Sequence, residues 1–215
     1  MSSIGRQYSL LDKIISQIDA GLQTVAASAK SSRPNPSLAI EEVVLSSEEK
    51  KRSAGLMRVN HTGEVCAQAL YRGQLLVAHD VAVKKFLSNA AMEETDHLAW
   101  CQERLRELNS HTSYLNIVWY SLSFTLGVVA GFVGDALSLG FVEETEQQVS
   151  RHLQEHLQQI ASEDHKSRAV VQQMYVDELG HATGAQQYGA SPLPLVIQVA
   201  MQCMAKVMKV VAYRV

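Results

Sequence analysis

Two short stretches carry side chains that could do chemistry together. In AMEETDHLAW, residues 91 to 100, Glu94 and His97 are three positions apart, and in DELGHA, residues 177 to 182, Glu178 and His181 repeat the spacing. Three residues is close to one helical turn, so each Glu points the same way as its His. The shared face is apolar. Leu87, Ala90, Ala91, Leu98, Cys101 and Leu105 fall at −7, −4, −3, +4, +7 and +11 from Glu94; Val171, Met174, Tyr175 and Ala185 fall at −7, −4, −3 and +7 from Glu178. A carboxylate on a buried face is costly unless opposite charge meets it.

Each pair is preceded by a helical stretch with one inward carboxylate. Met57, Ala67, Tyr71 and Leu75 lie at −7, +3, +7 and +11 from Glu64. The later stretch, FVEETEQQVSRHLQEHL, offers Glu143, Glu144 and Glu146. From Glu146, Leu139, Val142, Val149, Leu153 and Leu157 lie at −7, −4, +3, +7 and +11, whereas Glu143 shares its face with Gln147, Ser150 and Gln154. Helical phase therefore selects Glu146 and assigns Glu143 and Glu144 to solvent. Four inward Glu and two inward His, ordered as Glu then Glu-x-x-His twice over, are the ligand set of a di-iron or di-manganese four-helix bundle. Four carboxylates offset two divalent ions and two of them can reach both, while each His supplies one nitrogen. A lone Glu-x-x-His arises readily by chance; two copies on apolar stripes, each preceded by an inward Glu, form a pattern.

Other titratable residues have less to recommend them. His61 reads either as a support of the metal site or as a capping or partly buried histidine, and His152 as a support or a surface residue. Asp96 and Asp177 flank ligand positions and could orient a metal-bound His, but simple exposure is the default for both. Tyr71 and Tyr175 read as packing residues, and His79, His111, His156 and His165 as surface.

The elements that must position these groups are helices. Apolar periodicity predicts them over about 8–27, 46–79, 82–108, from near Leu115, 134–162, 165–188 and 195–213. The Ser/Pro/Asn-rich SAKSSRPNPS at 28–37 and the break GASPLP at 189–194 interrupt them. No useful period-2 alternation occurs, so the fold class is all-α. The chain divides into residues 1–45, an amphipathic helix and linker, and 46–215, the bundle. With 47% hydrophobic and 19% charged residues the composition suits a packed core, and a net charge of −3 gives no basic field for nucleic acid. Cys66, Cys101 and Cys203 form no close pair and read as reduced thiols. The N-terminus has neither the continuous apolar core of a secretory signal nor an Arg-rich transit composition.

Two stretches speak of a membrane. IVWYSLSFTLGVVAGFVG, 117 to 134, runs 18 residues without a charge, the lower limit for a spanning helix. The C-terminal LPLVIQVAMQCMAKVMKVVAYRV mixes apolar residues with Lys206, Lys209 and Arg214, as a helix in the headgroup plane would. Together they favour a protein resting on the bilayer; the other reading is two core helices that give the bundle extra cover.

RVNHTGEVCAQALYRGQ, EETDHL, WYSLSFTLGVVAGFVG and DELGHA resemble the demethoxyubiquinone hydroxylases of ubiquinone biosynthesis, over about residues 50 to 215. The resemblance implies a ferritin-like di-iron bundle with additional membrane-interacting helices. The implied reaction is hydroxylation of a polyprenyl methoxy-methyl-benzoquinol, demethoxyubiquinol, with dioxygen as oxidant and NADH or another reductant as electron source. It implies that Glu64 and His97 bind one iron, Glu146 and His181 the other, and that Glu94 and Glu178 bridge. In that family adjacent Glu-Glu often stands at the third helix's ligand position, which would pull an alignment to Glu143; helical phase argues for Glu146. The implied location is peripheral, on the cytoplasmic side of a bacterial cell membrane, with a homo-oligomer or a lipid-binding protein as an open partner. Rival readings are an iron-storage or rubrerythrin-like bundle and a quinol oxidase of the alternative-oxidase type.

Overall fold

The computed structural model describes residues 9–215. They form seven α-helices: α1 Leu10–Ala26, α2 Ser47–Val77, α3 Val81–Glu107, α4 Asn116–Val133, α5 Asp135–Gln159, α6 His165–Gln187 and α7 Leu195–Ala212. Among the described residues there is no strand, so the chain is all-α, and the helices lie close to the spans that periodicity predicts. Their starts are chemically marked. Ser46 and Glu49 form a capping box at α2, each side chain accepting from the other's backbone N–H. Asp80 accepts from Ala82 N and Val83 N at the start of α3, and Asp164 from Ser167 N at the start of α6. Gly134, with φ of 131°, divides the apolar run from the helix that follows and makes α4 and α5 separate elements.

Helices α2, α3, α5 and α6 make the bundle. Helix α4 lies within the long connection from α3 to α5 and packs along α2. That approach is close because glycines permit it: a Cβ on Gly73 would collide with Phe124 O, and one on Gly127 with Leu70 O. The apolar core comes in two main layers. Met57, Cys101, Leu105, Leu153, Val171 and Met174 belong to one, and Tyr71, Leu87, Leu139, Val142 and Ala185 to the other. On each bundle helix an inward Glu falls between members of the two layers, about seven residues from each. The bundle therefore sandwiches one polar layer between two dry ones. Fully burying one large aliphatic side chain is worth about 1.5–3 kcal/mol, so the dry layers can hold a polar layer that would not assemble unaided.

The segment between α1 and α2 does not hang free. Ala29 N donates to Gln102 Oε1 at 3.0 Å, Asn35 Nδ2 to Glu103 Oε2 at 2.6 Å, and Glu42 accepts from Arg104 Nη1 at 2.6 Å. Arg104 is fully buried and also meets Asp164 at 2.9 Å and Glu107 at 2.7 Å, tying this strap to α3 and the start of α6. The Arg104–Asp164 pair is buried on both sides, and removing one partner of such a pair costs about 3–5 kcal/mol. On α1, periodicity predicts an apolar stripe of Leu11, Ile14, Ile15, Ile18, Leu22 and Val25; Ile15, Ile18 and Leu22 are exposed, and Gly21 meets Tyr120 of α4. The Leu11 and Ile14 side chains lie outside the described residues.

Helices α4 and α7 are long and apolar enough to cross a membrane by length and composition, and only 28% and 11% of their apolar windows are buried. They are not core helices. Most of their apolar surface faces outward, and α7 is seated on α2 where Gly55 meets the Tyr213 ring and Arg58 donates to Tyr213 O at 2.9 Å.

Candidate metal centre

Two groups of buried side chains bring their donor atoms within 4.8 Å of one another: Glu64, Glu94, His97 and Glu178, and Glu94, Glu146, Glu178 and His181. They share Glu94 and Glu178. His97 Nδ1 lies 3.4 Å from Glu64 Oε2, 3.3 Å from Glu94 Oε2 and 3.2 Å from Glu178 Oε1. His181 Nδ1 lies 3.2 Å from Glu94 Oε1 and 3.1 Å from Glu178 Oε2. All six positions named from helical phase therefore meet in one layer. Glu143 does not: its carboxylate accepts from Gln147 and Gln186 on the outside of the bundle. Glu144, expected in solvent, is largely buried and accepts from Gln148.

Four carboxylates cannot all ionise here without cations. Two unit charges at 4 to 5 Å repel by about 3–4 kcal/mol even at an effective dielectric constant of 20. Burial and the neighbouring groups displace every one of these titrations. Burial, reinforced by neighbouring carboxylates, pushes Glu64 and Glu146 well above the usual carboxylate range. Burial also acts to raise Glu94 and Glu178, but hydrogen bonds, chiefly from Glu64 and His181 for Glu94 and from His181 and His97 for Glu178, outweigh it and hold both below that range. Burial acts to lower the two imidazoles, and the carboxylates around them win, raising both. Four carboxylates and two neutral imidazoles carry a charge of −4, which two divalent ions would bring to zero. The donor set thus fits a pair of dications. Glu146 Oε2 supports that fit, because it is a buried oxygen with no hydrogen-bond partner.

The outer nitrogens of the two histidines are held by a repeated device. His97 Nε2 donates to Asp177 Oδ2 at 2.9 Å, and His181 Nε2 donates to Glu93 Oε2 at 3.1 Å. Each backing acid immediately precedes the Glu of the opposite Glu-x-x-His. This leaves Nδ1 of each ring free to face the carboxylates. Tyr71, expected only to pack, donates its hydroxyl to Glu146 Oε1.

Several expectations from sequence are corrected. Asp96 is buried, and the Asp177 side chain is only 11% exposed, because the strap covers them. His156 is buried too: its Nδ1 lies 2.7 Å from Asn60 Oδ1, and burial lowers its pKa to about 4. His61 is fully buried toward α4, 3.4 Å from Asn116, with its pKa likewise lowered by burial to about 4. His152 is buried beside His156, ring centroids 5.0 Å apart. Glu93 and Arg33 were missed. The acid that precedes Glu in both copies, Glu93-Glu94 and Asp177-Glu178, was the available signal for Glu93; nothing periodic announces Arg33.

A cleft of about 360 Å3 runs between α2, α4, α5 and α7. Its walls are largely apolar, with Leu122, Leu126, Val149 and Met208 among them. It reaches Gly63 and Thr145, the neighbours of Glu64 and Glu146, and a Cβ placed on Gly63 would meet nothing within 4 Å.

The sequence matches the family described as ubiquinone biosynthesis protein COQ7 over residues 51–212. It is 52% identical to the 3-demethoxyubiquinol 3-hydroxylase of Coxiella burnetii, covering 99% of both chains. Proteins of the same description from Xanthomonas euvesicatoria and Chromobacterium violaceum are 50% and 51% identical. The first alignment covers 97% of this chain and 96% of the relative, the second 96% and 100%.

Proposed function

This chain belongs to the COQ7 family of ubiquinone biosynthesis proteins, and from that premise we propose its reaction and the residues that carry it. It is a monooxygenase that hydroxylates demethoxyubiquinol, the activity for which its near-full-length relatives are named. The cofactor is a pair of iron ions. Glu64 and His97 would hold one and Glu146 and His181 the other, with Glu94 and Glu178 within reach of either position. When bound, the iron pair would supply the redox equivalents by which dioxygen is activated, with NADH or another reductant restoring the electrons.

The chain's own residues do the rest. Asp177 and Glu93 keep the two imidazoles turned with Nδ1 inward. The Tyr71 hydroxyl orients Glu146. The dry layers above and below exclude water from the charged layer, which strengthens every interaction within it. The quinol ring approaches past Gly63, where the absent side chain leaves room, and the prenyl tail lies in the apolar cleft. Helices α4 and α7 rest on the cytoplasmic face of a bacterial cell membrane, with exposed Phe132, Val133, Leu195 and Val196 among the apolar contacts and Lys206 at the headgroups.

The observation that carries this reading is the pair of four-donor groups sharing Glu94 and Glu178. Anaerobic reconstitution with ferrous iron, then isotopically labelled dioxygen and a short-chain demethoxyquinol, tests it. The expected product carries one labelled oxygen atom on the ring, with about two irons bound per chain. Oxygen consumption with only unoxygenated quinone formed would mark a quinol oxidase, and tens of irons per chain would mark storage; either outcome contradicts the proposal.

A further inference from the structure

The strap between α1 and α2 supplies none of the proposed ligands, yet it closes one half of the site from outside. Ser32 N donates to Asp96 Oδ1 at 2.6 Å, and Ser31 Oγ accepts from Trp100 Nε1 at 3.1 Å. These contacts set Arg33 over the Trp100 ring, its guanidinium carbon 4.9 Å from the centroid. From there Nε reaches Asp96 Oδ2 at 2.7 Å and Nη2 reaches Asp177 Oδ2 at 2.9 Å. That same Asp177 oxygen accepts from His97 Nε2, and the other accepts from Gln173 Nε2 at 2.9 Å. A planar guanidinium with fixed donor directions suits this double duty better than a point charge. Asp177 is thereby held at both oxygens. The equivalent acid behind His181, Glu93, has a side chain 43% exposed.

We propose that Arg33 is a positioning residue of the metal centre: by holding Asp177 it fixes the His97 ring with Nδ1 toward the carboxylates, and so makes the position beside Glu64 and His97 the tighter of two metal positions. This rests on the ligand set proposed above. Outer partners of a metal-bound histidine typically govern 10- to 100-fold in affinity, and here that increment comes from a segment outside the bundle, more than sixty residues away in sequence from the histidine it serves.

The test is anaerobic titration of the metal-free full-length protein with cobalt(II), a ferrous substitute with a visible spectrum. The wild type is expected to take up two ions in resolved steps. Arg33→Ala should weaken the first step about 10- to 100-fold and change the ligand-field bands of that ion, leaving the second step within about threefold. Asp177→Asn should reproduce this, and Arg33→Lys should restore part of the loss. Asn35→Ala, which releases the strap from Glu103 without touching Asp177, should change neither step. Wild-type binding by Arg33→Ala, or an equal loss in Asn35→Ala, would overturn the positioning role while leaving the ligand set standing. A wild type that takes up fewer than two cobalt ions would overturn the ligand set and this proposal with it. If Arg33→Ala does not fold, Asp177→Asn and Arg33→Lys decide the matter by the same bands.

Discussion

His97 and His181 stand in equivalent places with unequal surroundings. Each presents Nδ1 to Glu94 and Glu178, and each gives its Nε2 proton to the acid preceding the other helix's Glu. Behind His97, Asp177 is nearly buried and held by Arg33 and Gln173. Behind His181, Glu93 is substantially exposed. On the inner side the inequality runs the other way: Glu146 receives the Tyr71 hydroxyl, whereas the contact given for Glu64 is with the His97 ring. The helices impose the symmetry and the strap removes it. An exposed ion pair is worth about 0–1 kcal/mol, whereas removing one partner of a buried one costs about 3–5 kcal/mol, so the two backing acids should not be interchangeable.

The largest effect should come from residues that belong to both halves. Glu178→Ala or Glu94→Ala should abolish hydroxylation and the uptake of both ions while circular dichroism still shows the helices; full activity would break the comparison at its root. Next come residues of one half. Glu64→Gln and Glu146→Gln should each reduce iron from about two to about one per chain in metal analysis, leaving His181 or His97 respectively to hold the remaining ion.

A smaller and more discriminating contrast lies behind the histidines. Glu93→Gln should change cobalt affinity by no more than about threefold, against the 10- to 100-fold expected for Asp177→Asn. Equal losses would mean that exposure does not separate the two acids. The smallest effect is on acid stability. Burial acts to raise the Asp177 carboxyl, but hydrogen bonds from His97 and Arg33 prevail and bring it to about 2, below its unfolded value of about 3.9. Between those values the unfolded chain binds more protons. Stability from this group is therefore complete above about pH 4 and is lost as pH falls through about 2. In melts of the metal-free protein, the difference between wild type and Asp177→Asn should shrink over that window; a constant difference would detach the carboxylate's charge from its role.

The helices and the polar layer were legible in the sequence because both are written in one local period. Glu146 stands on a face with Leu139 and Leu153 seven residues to either side, and that face is the one the bundle buries. Contacts made without a period were not legible. Arg33 meets Asp177 across 144 residues from an irregular segment, and no spacing within residues 28–37 says where that segment folds back. Asp96 and Asp177 read as exposed for the same reason, since their own helices turn them off the stripe and only the strap covers them. His156 lies ten residues beyond Glu146, well off the apolar face, and is buried because α2 and α7 close over that side of α5. The backing acids fall in between: their repeat before each Glu-x-x-His is local, but that each serves the opposite helix's His appears only once the helices are packed.

The most direct test of the account is an anomalous diffraction map from iron-loaded crystals. It should hold two peaks in the interior, one bounded by Glu64, Glu94, His97 and Glu178, the other by Glu94, Glu146, Glu178 and His181. A single peak, or iron confined to surface acids such as Glu143 with the interior layer still protonated, would contradict it.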